Sequence, residues 1–409
     1  MLQMTEAKEQ KLDQELSEEF LRKVAAWRKF EKSPLGSGEN VIDLQTIKLD
    51  ETAEFPNREE VQDWWIDYIC RIPMDTEAGR QHVLRCDGLL AFVESLERIR
   101  VPLIEYISRT LGMKLKPYSE PYIMGASKRF AERFYDEQGF AYNERGWKRY
   151  REAEPLTIAE IKRVVGETKE TLAPILLRAI DQEGLSLDFE TRYRKVERPW
   201  ISRIIGGPDM FWHEVNFHRM NESRYYQGVT EHARVHELFH LIQILAFRAH
   251  IQSGKLDKSW GITTIPGIEQ GPMEGMAQVI PLYIPEVMDT LSPFGKLALD
   301  YSYLYDLVYN HAVLIMANDG ISTDENITDF VKQYLPGETV DRIAKMVDFR
   351  RNNSRDKSYA HSYYVSHYLR EKAANLDEEQ KLSVVKLVGN NPVTYSELDN
   401  FINRLKATS

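Results

Sequence analysis

Cysteine is scarce in this 409-residue chain: Cys70 and Cys86 are the two it has. That number excludes a disulfide framework and a cysteine-built metal cluster, and it points to a reducing compartment. Positive charge is also in deficit, with 53 Lys and Arg against 63 Asp and Glu and a net charge of -10. A nucleic-acid binder or a protein of anionic membrane surfaces needs a basic face, so both classes are set aside. Met1 to Lys32 is rich in Glu, Lys and Gln and has no continuous apolar stretch. Without a signal peptide or membrane anchor there, the expected location is the cytoplasm. No period of twenty to fifty residues repeats, and no low-complexity tract appears.

What the chain does have is the composition of a large globular protein, 43% hydrophobic and 28% charged. Helical spacing dominates. Leu12, Leu16, Phe20, Leu21, Val24 and Trp27 recur every three or four residues, as on an amphipathic helix, and Ser33 to Gly38 breaks the pattern. Residues from Arg58 to about Met113 read as helices, and Thr157-Ile158-Ala159-Glu160 has the form of a capping box opening a long helix that ends near Gly184. The composition then changes. Glu190 to Val196, Trp200 to Ile205 and Phe211 to Phe217 are short β-branched or aromatic runs, separated by Arg198-Pro199 and by Gly206-Gly207-Pro208-Asp209. The fold expected is mainly α with a small antiparallel β-sheet. An N-terminal helical region, 1-185, would join a catalytic region, 186-409, in one compact unit.

Chemistry concentrates in the second region. Thr230 to Gln243 holds His236-Glu237-Leu238-Phe239-His240, an H-E-x-x-H pattern inside an apolar helical run that Gly254 would stop. Chance would place such a pattern in a chain of this composition with a probability of roughly 2 per cent. Residues four apart lie above one another on a helix, so His236 and His240 can both face one metal ion, with Glu237 beside the pair. Two histidines need a third ligand. Glu274 is the best placed, in the first turn of the next helix, which opens at Gly271-Pro272. Glu269, in a probable loop, and Glu231, on the motif helix itself, are less attractive, and Gln278 could support the ligands from one turn further on. With one zinc ion bound, Glu237 would take a proton from the attacking water and pass it to the leaving group, so the expected chemistry is hydrolysis of an amide or ester. An oxyanion donor is also needed, and the segment from Tyr359 to Tyr368 offers Tyr363 and His361 as catalytic candidates. Nine of the ten histidines, all but His82, fall between 213 and 367.

Competing readings attach to the same residues. The histidine pair could be a hydrogen-bonded core feature, Glu274 an ordinary first-turn carboxylate, the tyrosines core, and Arg350 and Arg351 either solvated or a clamp for a substrate carboxylate. Glu237 to His240 is also an E-x-x-H unit, but a di-iron centre needs two, and no second one occurs.

These residues resemble the gluzincin metallopeptidases, in which H-E-x-x-H on one helix and a glutamate on the next bind zinc. More narrowly, residues 210 to 375 are similar to the bacterial domain-of-unknown-function family 885. The counterparts are Glu274-Gly275-Met276-Ala277, then Met316 to Ser322, then Ala360-His361-Ser362-Tyr363; Leu238-Phe239 stand where that family's histidine motif carries Pro-Gly. The resemblance implies a gluzincin-like, α-rich metallopeptidase architecture with Tyr363 as the oxyanion-stabilising tyrosine. The function expected is a zinc-dependent peptidase cleaving short peptides, with a zinc enzyme acting on a non-peptide amide or ester, or a non-catalytic peptide-binding descendant, as alternatives.

Overall fold

The structure, a computed structural model, describes residues 12–97, 101–152, 157–187, 189–196, 202–207, 210–217, 224–264, 267–318, 322–353 and 356–407. Trp200, the Arg198-Pro199 and Pro208-Asp209 breaks, and Asp319, Gly320 and Ile321 of the resemblance lie outside them.

Helices make most of the molecule. In chain order they are α1 (Gln14–Glu31), α2 (Arg58–Arg71), α3 (Glu77–Leu96), α4 (Leu103–Thr110), α5 (Glu120–Gln138), α6 (Glu144–Arg151), α7 (Ile158–Ala179), α8 (Arg224–Gln252) and α9 (Gln270–Tyr283). They continue with α10 (Pro285–Asp289), α11 (Pro293–His311), α12 (Asp324–Tyr334), α13 (Val340–Asn352), α14 (Asp356–Ser362), α15 (Tyr364–Ala373), α16 (Glu378–Asn390) and α17 (Tyr395–Ala407). Local chemistry sets many of the boundaries. Thr157 and Glu160 form the expected capping box of α7, Asp377 and Gln380 form another on α16, and Gly254, at φ 70°, follows the end of α8.

The strands are β1 (Ile42–Gln45), β2 (Phe189–Arg194), β3 (Ser202–Gly206), β4 (Phe211–Asn216) and β5 (Ile262–Thr264). β1 pairs antiparallel with β5, and β3 with β4. β2 joins the other side of β4 in parallel, so the second sheet has the order β2-β4-β3 and β3 lies at its edge. Residue patterns show that three strands exist; the direction of β2 depends on where the chain returns after α7.

α8 is the axis of the molecule. It packs against α7, α9, α11 and α16, with β3 along one side, and Val235, Phe239, Leu241, Ile242 and Ala246 are wholly buried. One hydrophobic cluster joins Phe20, Trp27, Trp65 and Phe92 from the first half of the chain to Phe239, Ile280, Val365 and Leu398 from the second. A second cluster gathers α5, α6, α11 and α12 around Phe134, Trp147, Leu304 and Phe330.

Candidate metal centre

The apolar face of α8 that anchors the helix also fixes its polar exceptions. His236 and His240, one turn apart, bring their Nε2 atoms to 3.0 Å, with the ring planes inclined at 81°. Glu274 reaches the same point from the second turn of α9, which starts at Gln270 and so places this carboxylate one turn later than the sequence expectation, its Oε2 lying 3.2 Å from His236 Nε2 and 3.4 Å from His240 Nε2. Metal bonds of about 2.0–2.1 Å at tetrahedral angles set neighbouring donor atoms roughly 3.3–3.4 Å apart. The two separations from Glu274 are close to that length and the one between the imidazoles is shorter, and Glu274 Oε2 is buried without a hydrogen bond to any donor. This group could therefore hold a metal ion, and it is the one His/Cys/Asp/Glu cluster of that kind among the described residues.

The surroundings prepare the ligands. Gln243 donates from Nε2 to the Val388 carbonyl oxygen at 3.2 Å, which turns its Oε1 toward His240 Nδ1, 3.0 Å away. This sets a proton on His240 Nδ1 and leaves Nε2 turned into the cluster. Gln278 donates to Ser302 Oγ at 2.8 Å, and its side chain also contacts His236, as expected of a supporting group. His232 ties α8 to α9 by donating to the Gln278 carbonyl oxygen, 3.1 Å away.

Charge is unevenly distributed over this cluster. Burial works against the charged form of Glu274, yet the two imidazoles hold its carboxyl far below the usual range. Burial and the neighbouring His240 push His236 down. His240 is likewise desolvated, but Glu274 and Glu237 more than offset this and carry it up to about 9. Glu237 is raised to about 7, mainly by the protein packed around it and partly by Glu274, while a hydrogen bond from the Ile204 backbone of β3 pulls the other way. Unlike His236, His240 and Glu274, each at most 9% exposed, Glu237 is partly exposed.

Two partly buried phenols stand near the cluster. Tyr359, on α14, and Tyr363, between α14 and α15, share a hydrogen bond at 3.1 Å, and the Tyr363 ring centre lies 6.2 Å from that of His236. Burial and the Glu274 carboxylate raise both hydroxyls well above their ordinary value, so both remain donors at neutral pH. Sequence reasoning singled out Tyr363 and passed over Tyr359 and Gln243. The signals available were a tyrosine one helical turn earlier, and a lone polar residue amid Leu241, Ile242, Ile244 and Leu245.

Other candidates lie elsewhere. His361 is wholly buried with Nε2 3.3 Å from the Arg350 carbonyl oxygen, and burial lowers it to about 3. Glu231 accepts from the Ser292 backbone at 2.9 Å, and the buried carboxylate of Glu269 is coupled to Arg85. Arg350 is neither solvated nor turned toward a ligand. It is buried against Asp306 (2.6 Å) and Asn310 (2.8 Å) and donates to the Ala360 carbonyl oxygen (3.0 Å), which fixes the turn carrying the tyrosines. Arg351 is exposed.

No protein-family model and no curated protein matches the chain. Among solved structures, a candidate lipoprotein from Colwellia psychrerythraea is similar at 14% identity and a TM-score of 0.52, over 85% of this chain and 67% of that one. At that identity the likeness is one of fold. A PZ peptidase A with an inhibitor aligns at 12% identity and a TM-score of 0.41, over 95% of this chain and 71% of that one. No helix among the described residues is long and apolar enough to cross a membrane.

Proposed function

We propose that the chain is a zinc-dependent hydrolase, a peptidase that cleaves amide bonds of short peptides. The observation that carries this is the convergence of His236 Nε2, His240 Nε2 and Glu274 Oε2 to within 3.0–3.4 Å of one another beside Glu237. Two imidazoles and one carboxylate are a donor set suited to a catalytic zinc that keeps a position open. When bound, zinc polarises a carbonyl and lowers the pKa of water.

The chain's own groups do the rest. Glu237, whose carboxyl pKa burial raises above the ordinary range, can take the proton of the attacking water and return it to the leaving nitrogen. Tyr363, with Tyr359 behind it, presents a protonated hydroxyl to the carbonyl oxygen as it gains charge. The motif resemblance to gluzincins supports the same assignment. The burial of His236, His240 and Glu274, beside Glu237, Tyr359 and Tyr363 that are themselves only partly exposed, supports short substrates over folded proteins.

The test is elemental analysis of the purified protein together with a Glu237→Gln variant assayed on a short-peptide library. Zinc near one ion per chain in both proteins is expected, with hydrolysis in the variant reduced by about 10²–10⁴-fold. A protein that takes up no zinc, or a variant as fast as the parent, overturns the reading.

A further inference from the structure

We propose that Arg350 is a positioning residue: it holds the Tyr363 hydroxyl where the substrate's carbonyl oxygen gains charge, without touching the substrate itself. The inference rests on the metallohydrolase reading above and deepens it. Tyr363 stands at a break, between the end of α14 at Ser362 and the start of α15 at Tyr364. A seven-residue helix such as α14 is too short to hold its own shape, and the last four carbonyl groups of any helix lack partners within it. Ala360 and His361 lie in that last turn, and Arg350 takes hold of both. Its Nη1 donates to the Ala360 carbonyl oxygen at 3.0 Å, and its own backbone oxygen accepts from His361 Nε2 at 3.3 Å.

The guanidinium is itself held from the other side. Asp306 and Asn310, one turn apart on α11, accept from Nη2 at 2.6 Å and from Nη1 at 2.8 Å. α11 packs along α8, whose His236 has its ring centre 6.2 Å from that of Tyr363. A closed chain of contacts therefore runs from the ligand helix through α11 and Arg350 to the tyrosine turn, and back to His236. Arg350 and Asp306 are buried, at 4% and 6% exposure. Desolvating two charges cancels much of what their attraction gains, so the pair adds little stability that well-packed apolar side chains would not. Direction is what apolar side chains would not supply: a planar fork with fixed donors sets the distance between α11 and the turn. Displacing a reacting group by about 1 Å can cost about 100-fold in rate, so that distance bears on turnover.

The experiment measures kcat and KM of the zinc-loaded full chain on the internally quenched hexapeptide that the parent cleaves fastest, for Arg350→Lys, Tyr363→Phe and the two combined. Lysine keeps a charge beside Asp306 but offers one nitrogen in place of the fork. Tyr363→Phe is expected to lower kcat about 10²–10³-fold, the usual effect of losing an oxyanion donor. Arg350→Lys should lower kcat about 10–100-fold with KM and zinc content within about twofold of the parent's, as for an interaction made in the transition state alone. In the Tyr363→Phe background the same substitution should change kcat by less than about threefold, because no hydroxyl is left to place. A general loss of folding would instead lower both backgrounds alike. Should Arg350→Lys not fold, Asp306→Leu combined with Arg350→Met leaves no buried charge unpaired and enters the same cycle with the same expectation. An equal cost in both backgrounds, a parental kcat in the Arg350 variant, or a Tyr363→Phe as fast as the parent overturns the assignment and leaves the metallohydrolase reading intact. A zinc-loaded parent that cleaves no hexapeptide overturns that reading itself.

Discussion

At the scale of single residues, the centre depends on groups that never touch a metal. His240 can offer Nε2 because Gln243 holds its other nitrogen, and Gln243 faces the right way because Val388 takes its amide proton. Gln243→Leu keeps the volume and apolar fit within a buried stretch of α8 but removes the acceptor from His240 Nδ1. Zinc affinity, measured by competition with a chelating dye, should fall about 10–100-fold, the usual effect of losing such a supporting group. Affinity equal to the parent's would show that the imidazole is oriented by packing alone. The grouping of His236, His240 and Glu274 was readable because helical geometry ties His236 to His240 within one turn, and because the next helix carries Glu274 near its start. Gln243 and Tyr359 were not readable as partners, since nothing local announces that Val388, 145 residues further on, or Tyr363 would complete them.

At the scale of elements, the approach of α15 to α9 decides where the tyrosines stand. A Cβ on Gly275 would lie 2.9 Å from Val365 Cβ and 3.0 Å from the Ser366 backbone nitrogen, so the two helices can be this close only because position 275 has no side chain. The glycine that follows Glu274 thus lets the turn carrying Tyr363 reach the ligand helix. Gly275→Ala must push α15 away or twist α9, and overpacking of this kind costs about 1–3 kcal/mol. Both a lowered urea midpoint and zinc binding weakened by about tenfold are expected, the second because Glu274 is the adjacent residue. A variant with parental affinity and stability would mean that the interface relaxes without moving the ligand. Helix boundaries were mostly open to sequence reasoning, since Thr157, Glu160 and Gly254 act on their own neighbours. Strand direction and helix approach were not, because β2 meets β4 and Gly275 meets Val365 across long stretches of chain.

At the scale of the whole molecule, the first half of the chain braces the link between the two ligand-bearing helices. Between α8 and α9, Asp257 accepts from Ser17 at 2.8 Å, the Ser259 and Ile262 carbonyl oxygens accept from buried Arg85 at 3.0 and 2.7 Å, and β5 is held by β1. The shared core that makes this possible also buries histidines as neutral rings. Burial lowers His82, His361 and His367 to about 3 and His213 to about 4 from an ordinary 6.5. Between 6.5 and those values the unfolded chain takes up a proton that the native ring does not, so stability is complete above pH 6.5 and declines as the pH falls. At pH 5 each such ring should cost about 2 kcal/mol. Paired carboxylates such as Glu31 and Glu214, whose pKa values the fold lowers below 4.5, lose their contribution only in a more acid window. His82 isolates the effect because it lies in α3, away from the centre, with Nε2 2.9 Å from the Tyr68 hydroxyl and Arg85 as the nearby charge. His82→Gln keeps a polar partner for Tyr68 and removes the titration. With EDTA present to keep metal out of the balance, the drop in urea-unfolding free energy from pH 7.5 to pH 5 should shrink by about 2 kcal/mol. An unchanged drop would mean that the native ring accepts its proton in place.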